Sequence, residues 1–280
     1  MNKHPMLDPD DPAGARDVQD ALLESLTPVP LAPERAGAIK LRLLERVRAS
    51  RQSGKDFITL RFEDGEWENL VPGVRVKRLL GETRAALFEL QPGAALPFHR
   101  HHEDEECVVL RGEAQLGEVT VRAGDYHLAT AGSRHGVVRS SAGALLYLRG
   151  TPIGHPLEVA RDVLTALLPG RGQAPLTLHR DEGLWAEHSP GVLAKLLRDS
   201  AGSRSMLLHL EPGAAADFAA GPQGEECLVM EGEVFVGDRL MRPGDYHPAQ
   251  QGLAHARLSS DVGSLLFMRG PSPGAARQAP

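Results

Sequence analysis

His99, His101 and Glu105 stand close together between Gly93 and Gly112, and residues of these types could hold a divalent metal. The two histidines are two positions apart. On a β-strand alternate side chains share a face, so both imidazoles aim at one point while Arg100 faces away. Glu105 follows four residues after His101 and leads into an apolar run, Cys107-Val108-Val109-Leu110. Imidazole with carboxylate suits iron, manganese, nickel, copper or zinc. Neutral imidazole is also the commonest metal ligand among side chains. His135 lies 30 residues beyond Glu105 and could supply a fourth ligand. Glu103, Asp104, Glu105 and Glu106 also form an acidic run, which by itself would suit a solvated turn.

Such ligands need a rigid frame, and the rest of the chain describes one. Glycine (30) and proline (21) are frequent and scattered through 280 residues, which suits many short strands joined by turns. Ala85–Leu90, Cys107–Leu110 and Ala144–Leu148 are short β-rich runs of this kind. The length allows two domains, and 41% hydrophobic content supports real cores.

The second half copies the first. Glu105-Glu106-Cys107 recurs as Glu225-Glu226-Cys227, and Gly112-Glu113 as Gly232-Glu233. Gly124-Asp125-Tyr126-His127 recurs as Gly244-Asp245-Tyr246-His247, Gly132 and His135 as Gly252 and His255, and Arg149-Gly150 as Arg269-Gly270. All are offset by 120 residues. Upstream the offset is 118: Gly65, Trp67 and Pro72-Gly73-Val74 match Gly183, Trp185 and Pro190-Gly191-Val192. The difference falls near Arg198–Ser205, a polar stretch that reads as a hairpin loop. A period this long means two whole domains rather than a solenoid.

The pattern around the ligands is G-x5-H-x-H-x3-E-x6-G, from Gly93 to Gly112, followed by Gly124-x7-Gly132-x2-His135. It resembles the two motifs of the cupin family. The first is matched at every position; in the second, Thr130 stands where proline is usual and Arg139 where asparagine is usual. Within the cupins the chain looks most like the ChrR-type cupin, the C-terminal domain of a class of anti-sigma factors. Gly65-x-Trp67, Pro72-Gly73-Val74, Lys77-Arg78-Leu79-Leu80, Pro92-Gly93 and Val109-Leu110-x-Gly112 carry this likeness. It covers residues 55–152 strongly and 173–272 more weakly. The resemblance implies a mainly β chain with two tandem jelly-roll barrels, a bicupin. It also implies that His99, His101, Glu105 and His135 form a three-histidine, one-glutamate set for one divalent ion: zinc, iron, manganese or nickel. The expected divisions are a disordered and helical N-terminal segment (1–52), a metal-binding cupin (53–153), a helical linker (154–172), a degenerate cupin (173–272) and a disordered tail (273–280). Exposed apolar faces on equivalent strands are expected to pack the two barrels together as in a dimer.

The two halves control each other. Ala219 stands where His99 stands and Gly221 where His101 stands, while Glu225 and His255 remain. Two protein ligands rarely hold a metal tightly, so the second barrel reads as metal-free unless His209 or His179 is borrowed. His127 is shared with His247 and Cys107 with Cys227, which points to structural roles. Cys107 should face the same way as Glu105, as a buried thiol in the pocket wall. Glu106 and His102 should face away from the site.

Outside the barrels, Asp17–Leu26, Glu34–Ser50 and Pro156–Leu168 read as helices. Ile39, Leu43, Leu44 and Val47 share one side of the second, which suits an arm packed on a barrel. The stretch from Leu26 to Val47 is similar to the linker after an anti-sigma domain. The zinc set of such a domain is missing, since no cysteine precedes Cys107 and His4 is the only histidine before His99. Two cysteines rule out a disulfide framework as the main stabiliser. A net charge of −6 argues against nucleic acid. No apolar run has the length of a membrane span or a signal core, so the cytoplasm is the expected compartment, with the chain a monomer or homodimer.

Two functions compete. A metal held by four protein ligands keeps two open positions, which suits an enzyme of dioxygenase type acting on a small molecule. The ChrR likeness implies instead a metal- or stress-sensing module that signals to a sigma factor. A purely structural bicupin is the weakest reading, because the ligand set is intact.

Overall fold

The computed structural model describes residues 32–53, 58–79, 84–150, 172–200, 202–217, 225–249 and 257–270. The chain divides into two units, 1–52 and 53–280. The first contributes one described helix, α1 (Pro33–Ser53). Proline is tolerated in a first turn, where its missing N–H has no intrahelical partner, and Glu34 there complements the helix dipole. The expected helix began one residue later and ended three earlier. The side chains expected to pack, Ile39, Leu43, Leu44 and Val47, are exposed. No helix among the described residues is long and apolar enough to cross a membrane. The expected helix at 17–26, the linker helix at 156–168 and the tail at 273–280 lie outside the described residues.

The second unit is β throughout its described residues. Its first repeat holds β1 (Glu68–Val71), β2 (Val74–Arg78), β3 (Ala85–Leu90), β4 (Ala95–Leu96), β5 (His99–Arg100), β6 (Glu105–Leu116), β7 (Val119–Arg122), β8 (Tyr126–Ala129), β9 (Arg134–His135), β10 (Val138–Arg139) and β11 (Ala144–Arg149). Its second holds β12 (Leu176–Leu178), β13 (Trp185–Ser189), β14 (Val192–Ser200), β15 (Ser203–Leu210), β16 (Ala215–Ala216), β17 (Glu225–Gly232), β18 (Val234–Val236), β19 (Arg239–Met241), β20 (Tyr246–Ala249), β21 (Leu258–Ser259) and β22 (Ser264–Gly270).

The repeats share one antiparallel plan. The order β1-β2-β3-β11-β6 of the first is matched by β13-β14-β15-β22-β17 in the second. The long β6 closes the barrel by serving two sheets: its first half pairs with β8 and β11, its second with β7 and β10. It bends at Gly112, where φ is +72° and a Cβ would meet the Gly143 carbonyl oxygen at 2.0 Å. Only glycine permits both that conformation and that approach. Gly232 repeats this, with φ +71° and 2.0 Å to the Gly263 oxygen. The difference in offset between the repeats does fall on a hairpin, β14–β15, paired from Val192↔Leu210 to Ser200↔Ser203.

Alternation sorts the side chains. On β6, Cys107 and Val109 point into the first barrel, while Val108 and Leu110 point to the second. Leu87, Tyr126 and Tyr147 meet Leu207, Tyr246 and Phe267 in the layer between the barrels. Each such side chain stabilises by roughly 1.5–3 kcal/mol when fully buried. The barrels therefore pack face to face, as the apolar faces predict.

They also exchange strands. The stretch entering the first barrel pairs with the second, through Leu60↔Tyr246. The stretch entering the second pairs with the first, as β12 on β8. Equivalent bonds fix both arms. Lys77 Nζ donates to the carbonyls of Arg61 and Phe62 at 2.8 and 2.7 Å, and Lys195 Nζ to those of Arg180 and Glu182 at 2.8 and 2.9 Å. The Phe62 and Arg180 amides donate to Asp245 and Asp125 at 2.8 and 2.7 Å.

Candidate metal centre

β5 and β9 bring the two motifs together. Their register sets His99 opposite His135 and Arg100 opposite Arg134. The ladder continues past the strands: the His101 amide donates to the Ser133 carbonyl at 3.1 Å, and the Gly132 amide to the His101 carbonyl at 2.7 Å. The Asp104 carboxylate accepts the Ala131 amide at 2.7 Å. Glu105 is the first residue of β6, and the alternation that sends Cys107 inward sends Glu105 inward too. At the far end of β11, Gly150 has φ +109°, and a Cβ there would lie 2.2 Å from the Asp104 carbonyl.

Among the described residues, His99, His101 and Glu105 are the one group of three His, Cys, Asp or Glu side chains whose donor atoms converge, all within 4.8 Å of one another. Ligands bound at about 2.1 Å can lie no more than about 4.2 Å apart, so small side-chain rotations would close this set on one ion. His101 Nδ1 is 3.7 Å from Glu105 Oε2, and the rings of His99 and His101 meet edge-on with centroids 4.9 Å apart. His99 Nδ1–H donates to the Pro97 carbonyl at 2.9 Å, which leaves Nε2 as the lone-pair donor. The donor set fits a borderline divalent ion such as zinc, iron, manganese or nickel.

Burial, then the neighbouring His99, His127 and His102, push the His101 pKa down to about 3. His101 is therefore neutral at physiological pH, the state a ligand requires. In the unfolded chain it would titrate at its ordinary value near 6.5. As pH falls from there towards the folded value, the unfolded state takes up a proton that the folded state refuses, so stability falls with pH. Metal-free protein is expected to lose stability below about pH 6.5, and His101→Ala to flatten that loss, as read from denaturation midpoints between pH 7 and 4.

His127 is buried, and burial lowers its pKa against the opposing Glu105 carboxylate. Its Nδ1 lies 2.8 Å from Thr177 Oγ1 on the exchanged strand β12, just as His247 Nδ1 lies 3.0 Å from Thr59 Oγ1 in the other barrel. The same pair thus occurs in both barrels, in keeping with the structural role expected of His127. Burial first, then Glu105, raise the Cys107 thiol far above its ordinary range, and Cys227 rises to about 12. Burial thus favours the protonated thiol in both. His102 is exposed, as expected.

Glu106 and Glu226 do face away from the barrel interiors, into a buried polar network between the barrels. Glu106 accepts from Tyr126 at 3.0 Å and Arg269 at 2.9 Å. Glu226 accepts from Tyr246 and Tyr147, both at 2.9 Å, and from Arg149 at 3.0 Å. The sequence marked both glutamates as repeated and turned Glu106 away from the site, but gave neither its partners. Thr130, unusual for its position, donates to the Gln173 carbonyl at 2.7 Å and so ties the site loop to the start of the second repeat.

Of the second repeat's histidines, His179 donates to Asp125 of the first repeat at 2.9 Å, and His209 stacks edge-on with Trp185 at 6.2 Å. Neither joins a converging group of ligands with Glu225 among the described residues. Ala219, Gly221 and His255 lie outside them.

Comparison with known proteins agrees with this architecture. None of the curated proteins matches the chain. A candidate dioxygenase from Nostoc punctiforme PCC 73102 superposes with a TM-score of 0.59 at 19% identity, over 77% of this chain and 82% of that one. The formate complex of oxalate decarboxylase from Lactobacillus farciminis gives 0.55 at 16% identity, over 77% and 86%. A candidate glyoxylate-induced protein from Pseudomonas aeruginosa gives 0.58 at 13% identity, over 78% and 90%. These likenesses show the fold. The ChrR cupin-like domain matches twice, at residues 55–153 and 173–272, so the chain belongs to the ChrR cupin-like family, with two copies in tandem.

Proposed function

We propose that the first barrel binds one divalent metal through His99, His101, Glu105 and His135 and acts on a small molecule as an enzyme of dioxygenase type. The observation that carries this reading is the convergence of His99, His101 and Glu105 donors in the first barrel, with His135 in register opposite His99. A metal held there supplies a Lewis acid or a redox centre. The chain's own contribution is to present His101 neutral and to fix the His99 ring through Pro97. Cys107 and its apolar neighbours on the barrel wall limit water. The family supports a second reading, in which the same site senses a metal or a stress-derived ligand and signals to a sigma factor.

Metal content after metal-replete growth tests the site. Wild type is expected to approach one ion per chain and His99→Ala to carry far less, since removing a ligand directly weakens binding. Equal loading of the two proteins would overturn the ligand assignment. Oxygen consumption with small β-dicarbonyl or phenolic compounds tests the enzyme reading, and co-purification with a sigma factor tests the sensor. Oxygen uptake that His99→Ala abolishes would favour the enzyme. A metal-dependent sigma-factor complex without oxygen uptake would favour the sensor.

A further inference from the structure

We propose that Arg198, on the second barrel, is a positioning residue for the metal centre of the first and acts through Asp104. This rests on the metal reading above. The Arg198 guanidinium donates to Asp104 Oδ2, and its other terminal nitrogen lies 3.8 Å from Glu106 Oε1. The other Asp104 oxygen accepts the Ala131 amide at 2.7 Å. One carboxylate thus joins three pieces of chain. It sits in the loop between His101 and Glu105, it holds the loop that leads to His135, and it is itself held from the second barrel. A guanidinium suits this task because its planar fork fixes direction as well as charge.

The comparison of the repeats separates this contact from the rest of the interface. The glutamate–tyrosine–arginine groups between the barrels occur twice, at Glu106, Tyr126, Arg269 and at Glu226, Tyr246, Arg149. Among the described residues the Arg198–Asp104 pair occurs once. At the 120-residue offset Asp104 corresponds to Gly224, and at the 118-residue offset Arg198 corresponds to Leu80. Both members are therefore missing on the side whose histidine pair is also replaced, by Ala219 and Gly221. Arg198 also lies where the repeats differ in length. β2 ends at Arg78, whereas β14 runs on to Ser200, with a register shift between Leu196 and Arg198. The longer hairpin carries the arginine to the metal loop. A symmetric contact would serve packing alone; this one goes with the ligands.

Asp104 is about one-third exposed, and ion pairs of that kind contribute little to stability. The effect belongs on metal affinity. Loss of an outer partner of a metal ligand set typically weakens binding about 10–100-fold. The test uses the full chain with zinc as the probe, its affinity measured by competition with a chromophoric chelator. Arg198→Met is expected to weaken zinc by about 10–100-fold. Asp104→Asn, which keeps an acceptor for Ala131, should weaken it in the same direction, and the double variant no more than the worse single one. Arg198→Lys should recover part of the loss. In metal-free protein, amide exchange at residues 131–135 should rise in Arg198→Met. Unchanged affinity and exchange in Arg198→Met and Asp104→Asn, with His99→Ala still losing metal, would overturn the role of Arg198 and leave the metal site standing. Faster exchange in a protein whose wild type binds no zinc, iron, manganese or nickel would overturn the metal reading, and this role with it.

Discussion

His101→Ala is expected to lose the metal, while His102→Ala, one residue on, keeps it. The two side chains start from opposite environments. His101 is buried at 5% exposure with its Nδ1 3.7 Å from Glu105 Oε2, whereas His102 is exposed. Removing His101 takes one of the three converging donors and leaves a gap on the inner side of the site. The loss should exceed the roughly 10–100-fold that follows from disturbing an outer partner of a ligand. Competition with a chelator, run for zinc and for manganese, reads this directly. A shift of equal size in His102→Ala would mean that the histidine-rich loop binds ions loosely, as a solvated turn does. Undiminished affinity in His101→Ala would remove it from the ligand set.

The two-residue spacing of His99 and His101 and the inward direction of Glu105 were legible because strand alternation is a local rule. So were the two barrels, because the repeat carries its own evidence: glycines needed at bends, such as Gly112 and Gly232, recur at the same offset. The change of offset even located the hairpin β14–β15. What that hairpin does was not legible. Arg198 meets Asp104 across 94 positions of chain, and no local pattern announces a contact at that range. The exchange of entering strands was hidden for the same reason. Thr59 and Thr177 look like unremarkable β-formers until each is found beside a histidine of the other repeat. Glu106 was rightly placed off the metal face, and Glu226 repeats it. Their use needed the second barrel in view, since the arginine that hydrogen-bonds to each, Arg269 to Glu106 and Arg149 to Glu226, comes from the opposite repeat.

Glu226→Ala is expected to be the most destabilising single change in the interface, costing about 3–5 kcal/mol with little effect on zinc affinity. Glu226 is buried and accepts from Tyr147, Tyr246 and Arg149 at 2.9, 2.9 and 3.0 Å, with Arg269 at 3.6 Å. Burial first, then the Glu226 carboxylate, raise the Tyr147 phenol well above its ordinary value, so it remains a hydrogen-bond donor to that carboxylate. Taking the carboxylate away strands two phenols and a largely buried guanidinium between apolar faces. That penalty outweighs the modest net worth of the bonds themselves, about 1 kcal/mol each. The cost should therefore depend on context. Replacing the group together, with Glu226→Leu, Tyr147→Phe and Arg149→Met, should cost clearly less than Glu226→Ala alone, because no buried charge is left without its partner. Urea midpoints at an unchanged denaturant slope measure both. A Glu226→Ala loss within the roughly 0.5 kcal/mol typical of surface changes would show that water reaches this network and that the barrels are held by their apolar layer alone.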